Sequence, residues 1–152
     1  MYTYNEIMTQ DQKLEKTKDI IQSITFNESA VDIVLFTGCG TSYYLAIAAA
    51  RYYQAVTGVF AIAVPASELF LHTETYILKN KKYLIIGISR SGTTSEIIMS
   101  LEHLKGDEKI RTMAVTCNGG TPMAKLTDEL IALNDISEKS VVMTQSFSNM
   151  LY

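Results

Sequence analysis

Cysteine is scarce in this chain: Cys39 and Cys117 are its two, and they form neither a metal-ligand spacing nor a disulfide framework. Positive charge is scarce as well. Thirteen Lys and Arg stand against sixteen Asp and Glu, a formal net charge of −3, with no basic block. The electrostatic footprint of a nucleic-acid binder is therefore missing, and a small anionic ligand would have to be held by local groups. No apolar run reaches the length of a membrane span, and the first 25 residues mix Lys, Asp and Glu without a signal-peptide pattern. These absences predict a reduced, cytoplasmic protein with no membrane or nucleic-acid partner. What is present is globular: 47% hydrophobic and 19% charged residues over 152 positions, enough for one domain with its own core.

Thr3-Tyr4-Asn5-Glu6 has the spacing of a capping box, and Tyr4, Ile7, Leu14, Ile21 and Ile24 recur at helical spacing. The pattern predicts an amphipathic N-terminal helix over 4–23, within a leading segment 1–30. Short apolar runs then alternate with helical stretches. Strands are predicted at 33–37, 60–64, 83–89, 112–117 and 130–133, with helices at 42–56, 67–71, 93–104 and 122–126. Gly58 and Gly106 suit the connections after two of these helices, and Pro122 suits a first helical turn. Such alternation is an α/β fold: three layers, with a doubly wound five-stranded parallel sheet between helices. A last helix is expected from about Met143, still running at Tyr152 without a cap, so the chain reads as cut short.

Two loops carry the chemistry. Gly38-Cys39-Gly40-Thr41-Ser42 follows the first strand, and Ser89-Arg90-Ser91-Gly92-Thr93-Thr94-Ser95 follows the third; each leads into a helix. Sharp turns, hydroxyls and the free N–H groups of a helix start together make an anion site. In the strand order 2-1-3-4-5, the first and third strands flank the switch point, so both loops face one crevice. Thr41 and Thr93, each taken alone, read as N-caps. Five hydroxyls and an arginine in the second loop exceed what a cap requires. Other phosphate motifs are excluded. Tyr43 stands where a dinucleotide fingerprint needs its third glycine, no acid follows the second strand before Glu68, and neither loop ends in Gly-Lys-[Ser/Thr]. No cofactor and no metal is expected.

These loops resemble the sugar isomerase (SIS) domain family. Gly40-Thr41-Ser42 is similar to its Gly-Thr-Ser turn, and 89–94 to its Ser-x-Ser-Gly-x-[Ser/Thr] phosphate loop. Val115-Thr116-Cys117-Asn118 and the segment from Glu138 to Phe147 are similar to two further family segments in the right order. The resemblance covers about residue 33 to the C-terminus, so a SIS domain is expected over 31–152. It implies that Ser42, Ser89, Ser91 and Thr94 hold a sugar phosphate, with Arg90 as a further donor if its side chain points inward. It implies that Gly40, Thr41, Val141 and Met143 line the sugar end, and that Glu138 supports the site or touches substrate. Glu138 is the one candidate for a catalytic role. The amino-sugar members carry two SIS domains, with the catalytic Glu and ring-opening His in the second, which implies a homodimer or a second SIS domain as partner. His72 and His103 are expected to be structural or solvated, and Cys39 a small filler. The expected function is the phosphosugar-binding half of an aldose–ketose amino-sugar-phosphate isomerase or deaminase. The alternatives are a sugar-phosphate-sensing module without chemistry and a single-domain isomerase.

Overall fold

Residues of a parallel strand point alternately to two helix-covered faces, so a central strand is apolar throughout. In the computed structural model, which describes residues 2–25 and 30–152, strands β1 (Ile33–Gly38) and β3 (Tyr83–Ser89) are buried along their whole length. The others are β2 (Phe60–Pro65), β4 (Ile110–Thr116) and β5 (Glu129–Ala132). All five pair in parallel in the order β2-β1-β3-β4-β5. Gly38 pairs with Ile88 across β1 and β3, and Ser89 with Thr116 across β3 and β4.

The two faces bury different sets. Val34, Phe36, Leu84, Ile86, Met113 and Ile131 pack under α3 (Thr41–Thr57), flanked by α2 (Gln10–Ser23) and α8 (Gln145–Leu151). Ile33, Leu35, Tyr83 and Ile85 pack under α4 (Ala66–Leu71) and α6 (Ser95–Leu104), with α7 (Pro122–Leu126) beside α6. Each such side chain contributes about 1.5–3 kcal/mol relative to exposure. A short helix, α5 (Thr73–Tyr76), which the sequence pattern does not signal, leads back towards β3.

The N-terminal segment departs from expectation. It forms two helices, α1 (Tyr2–Met8) and α2, broken at Thr9. The Thr9 hydroxyl donates back to the Asn5 carbonyl at 2.9 Å, offering the backbone an alternative to continued helix. No capping box forms at Thr3, because α1 already includes it. The expected apolar face does not hold in α1 either: Tyr4 and Ile7 are 60% and 48% exposed, whereas Glu6 is buried. Helix α2 is docked on α8, where the buried Thr17 hydroxyl donates to Asn149 Oδ1 at 2.5 Å. The boundary expected near residue 30 follows residues 26–29, which lie outside the described residues.

Candidate functional site

The first loop turns tightly against its own helix. A Cβ on Gly38 would lie 2.7 Å from the Ser42 carbonyl carbon and oxygen, so only glycine lets β1 run into α3 here. Gly40 takes φ 53°, ψ −125° and is the N-cap residue of α3, with no side-chain cap. Thr41 is therefore the first helical residue, exposed, and not the cap that its position suggested. Ser42 is buried; its N–H donates to the Cys39 carbonyl at 3.1 Å, and the Tyr43 N–H to the Gly40 carbonyl at 3.0 Å. Both amides are engaged within the turn.

The second loop is built from its own hydroxyls. Ser89 Oγ, buried at the end of β3, lies 2.9 Å from Thr94 Oγ1 and accepts the Gly92 N–H at 3.1 Å. Ser91 Oγ accepts from the Thr93 N–H at 3.3 Å and the Thr93 hydroxyl at 3.1 Å. Thr94 is the N-cap residue of α6, yet its hydroxyl makes no cap bond. Thr93, too, bonds Ser91 and does not cap, so α6 begins at Ser95, two residues later than the apolar pattern predicts.

The loop is stapled to the neighbouring connection. Gly92 has φ 64°, and a Cβ there would lie 2.2 Å from Thr121 Oγ1 and 3.0 Å from Thr116 Oγ1. The Cys117 N–H donates to the Arg90 carbonyl at 3.2 Å, and the Met123 N–H to the Gly92 carbonyl at 3.3 Å. Asn118 shapes the far side, its Oδ1 accepting the Gly120 N–H at 3.1 Å. Burial, then the nearby Glu138 charge, pushes the Cys117 thiol up to about 12. Burial, then the nearby Glu96 charge, also raises the Cys39 thiol, so neither thiol has the lowered value of an activated nucleophile.

Arg90 and Glu138 have jobs of their own. Arg90 Nη1 donates to Glu138 Oε2 and to the Ser140 carbonyl, each at 3.3 Å. The Glu138 side chain is fully buried. It accepts from the Thr144 N–H at 2.6 Å, from the Thr144 hydroxyl at 2.7 Å and from the Ser146 hydroxyl. Burial alone would raise the Glu138 carboxyl, but bonds from Ser146, Thr144 and Arg90 outweigh it and hold the carboxyl below its usual value. The expected catalytic candidate is thus a saturated acceptor that anchors the start of α8. Val141 is 93% exposed, and Met143 is half-buried against the core on the α3 side of the sheet. His103 is exposed and meets Phe70 edge-on, with ring centroids 6.2 Å apart.

Two side chains, Thr121 and Thr37, escaped the sequence reading, and Thr116 enters it only within the segment 115–118, without a role. Thr116 and Thr121 wall the second loop. The Thr37 hydroxyl, one residue before Gly38, is buried without a hydrogen-bond partner among the described residues. A lone threonine in an apolar strand is the one sign that could have pointed to it. Among the described residues no group of three or more His, Cys, Asp or Glu could hold a metal ion, and no helix is long and apolar enough to cross a membrane.

Two hydroxyl-rich turns at adjacent strand ends are the frame on which the comparisons with known proteins fall. Residues 30–152 match the family described as SIS domain. The chain belongs to the SIS domain family. This SIS domain is 27% identical over 143 residues to the isomerizing glutamine–fructose-6-phosphate aminotransferase of Fusobacterium nucleatum, covering 94% of this chain and 23% of that one. It is 28% identical over 125 residues to the Helicobacter pylori protein of the same name, covering 82% and 20%. Among solved structures, glucosamine-6-phosphate deaminase from Thermotoga maritima superposes with TM-score 0.82 at 30% identity, covering 99% of this chain and 46% of that one. The C-terminal domain of the Francisella tularensis aminotransferase reaches TM-score 0.84 at 20% identity, covering 99% and 44%, a likeness of fold. The SIS domain thus spans about a quarter of the curated relatives' length, 23% of the first, and just under half of these solved chains, 46% and 44%.

Proposed function

We propose that this SIS domain holds the phosphate of a hexose 6-phosphate in the 89–94 loop, assisted by Ser42 from the turn beside it. The observation that carries this reading is the state of the loop hydroxyls. Ser89, Ser91, Thr93 and Thr94 bond one another, and none caps the helix that they introduce. A phosphate accepts from each of them, so it exchanges weak neutral contacts for charge-assisted ones near the start of α6. Gly92, held against Thr121, keeps the hydroxyls in place before ligand arrives, which lowers the ordering cost of binding. Arg90 then acts by anchoring the loop through Glu138 and Ser140, and the sugar end is assigned to Gly40, Thr41, Val141 and Met143 on the family resemblance.

The reaction in which such a domain takes part is the aldose–ketose isomerisation or deamination of an amino-sugar phosphate. That chemistry needs ring opening and a base that moves a proton between neighbouring carbons. Glu138 is a poor base because its carboxylate already accepts from Thr144, Ser146 and Arg90. The base and the ring-opening group therefore come from a second SIS unit, in a homodimer or a paired domain, working in the cytoplasm.

Calorimetric titration with fructose 6-phosphate, glucosamine 6-phosphate and galactosamine 6-phosphate tests the reading, with unphosphorylated fructose as control. Binding of phosphorylated sugars alone is expected, without turnover by the isolated chain. At ligand near a hundred times its dissociation constant, stability should rise by about 2.7 kcal/mol. No heat and no melting shift with any phosphorylated sugar would overturn the anion site, and rapid turnover would overturn the division of labour.

A further inference from the structure

A carboxylate on a first-turn helix near the chain start has no local reason to be buried, since charged side chains are almost never fully buried unless paired. Glu6 on α1 is only 8% exposed, and its partners lie at the other end of the chain. Its Oε1 accepts the Lys139 N–H at 2.6 Å and the Ser140 N–H at 3.2 Å, while its Oε2 accepts the Ser140 hydroxyl. The backbone of Ser140 is therefore gripped from below by Glu6. From the other side, the Ser140 carbonyl accepts Arg90 Nη1 at 3.3 Å. Arg90 belongs to the 89–94 loop, and its own carbonyl accepts the N–H of Cys117, the residue that follows β4. The connection Glu6, Ser140, Arg90, loop is continuous, made of hydrogen bonds to charged groups at both ends. Thr9 adds a second tie from the same region, its hydroxyl 3.4 Å from Gln145 Oε1 at the start of α8.

We propose that Glu6 is a positioning residue for the anion loop: α1 clamps the strap around Ser140, and the strap holds Arg90 and with it the 89–94 loop. This deepens the proposed phosphate site and rests on that reading for its effect on binding, though not for its effect on the loop. The N-terminal helix is then a working part of the site. Polar groups act in this way when their own placement is determined by buried partners, and substitutions along such a network shift binding at a distance.

The test uses the full chain and the variants Glu6→Ala, Glu6→Asp and Glu6→Gln. Amide hydrogen exchange is followed residue by residue, and fructose 6-phosphate and inorganic phosphate are titrated by calorimetry. In Glu6→Ala, exchange should quicken at Lys139 and Ser140 and also at Gly92 and Thr93, while the sheet amides of β1 and β3 stay as protected as before. Affinity for fructose 6-phosphate should fall roughly two- to thirtyfold. Glu6→Gln keeps an acceptor for both N–H groups and should restore most of the protection and affinity, which a general loss of stability would not do. Glu6→Asp retracts the carboxylate by one methylene and makes the same comparison if Glu6→Ala fails to fold. Quickened exchange at Lys139 and Ser140 with Gly92, Thr93 and affinity unchanged overturns the proposal, as does uniform quickening across the sheet. If the loop loosens as expected but the wild-type chain binds neither ligand, the clamp stands and the phosphate reading falls.

Discussion

Replacing Gly92 by alanine tests whether the anion loop is as rigidly seated as its contacts imply. The native φ of 64° lies in the left-handed region, which costs a non-glycine residue about 1–2 kcal/mol. The added Cβ would also fall 2.2 Å from Thr121 Oγ1 and 2.8 Å from Thr121 Cβ. Overpacking of that kind costs about 1–3 kcal/mol more, so Gly92→Ala should lose roughly 2–5 kcal/mol. Gly40→Ala isolates backbone strain without a clash: it has φ 53°, ψ −125° and nothing within 4 Å of the new Cβ, so strain of about 1–3 kcal/mol is its whole cost. Urea unfolding of both variants gives the comparison directly. Combining Gly92→Ala with Thr121→Ala should recover part of the loss, a coupling of about 0.5–3 kcal/mol between touching residues. An absence of coupling between Gly92→Ala and Thr121→Ala would show that Thr121 yields freely. The loop would then not be held ready for its ligand.

Two further outcomes are expected. Ser91→Ala removes one hydroxyl from a charged ligand, a loss of about 1.5–3 kcal/mol, so calorimetry should show fructose 6-phosphate affinity falling on the order of ten- to a hundredfold; unchanged affinity would remove Ser91 from the site. The Glu138 carboxyl is held below its usual value in the folded chain, so the unfolded chain takes up the proton first on acidification. Its contribution to stability is complete above the ordinary carboxylate value of about 4.3 and is lost as pH falls through the lowered folded value. Glu138→Gln should therefore be less stable at neutral pH and show a shallower acid-side decline in urea unfolding; an unaltered slope would remove Glu138 from the acid response.

The sheet and the two loops were legible because their signals are local. A strand buried on both faces must be apolar along its length, as Ile33 to Phe36 and Tyr83 to Ile88 are. A turn that brings backbone within 2.7 Å of a would-be Cβ must be glycine, as Gly38 is. Hydroxyls before a helix announce either a cap or an anion site, and sequence alone left that choice open for Thr41 and Thr93. The tertiary structure removed the cap reading for Thr93, by turning Thr93 and Thr94 towards Ser91 and Ser89. It also gave Arg90 to Glu138, a pairing between residues 48 positions apart that no spacing rule announces. The clearest case is α1, where helical periodicity assigned Tyr4 and Ile7 to the interior and the fold buried Glu6 instead. Periodicity weighs only a residue's own hydrophobicity. Whether a carboxylate can be buried depends on donors waiting at the site, and those of Glu6 come from Lys139 and Ser140, 133 and 134 residues further along the chain.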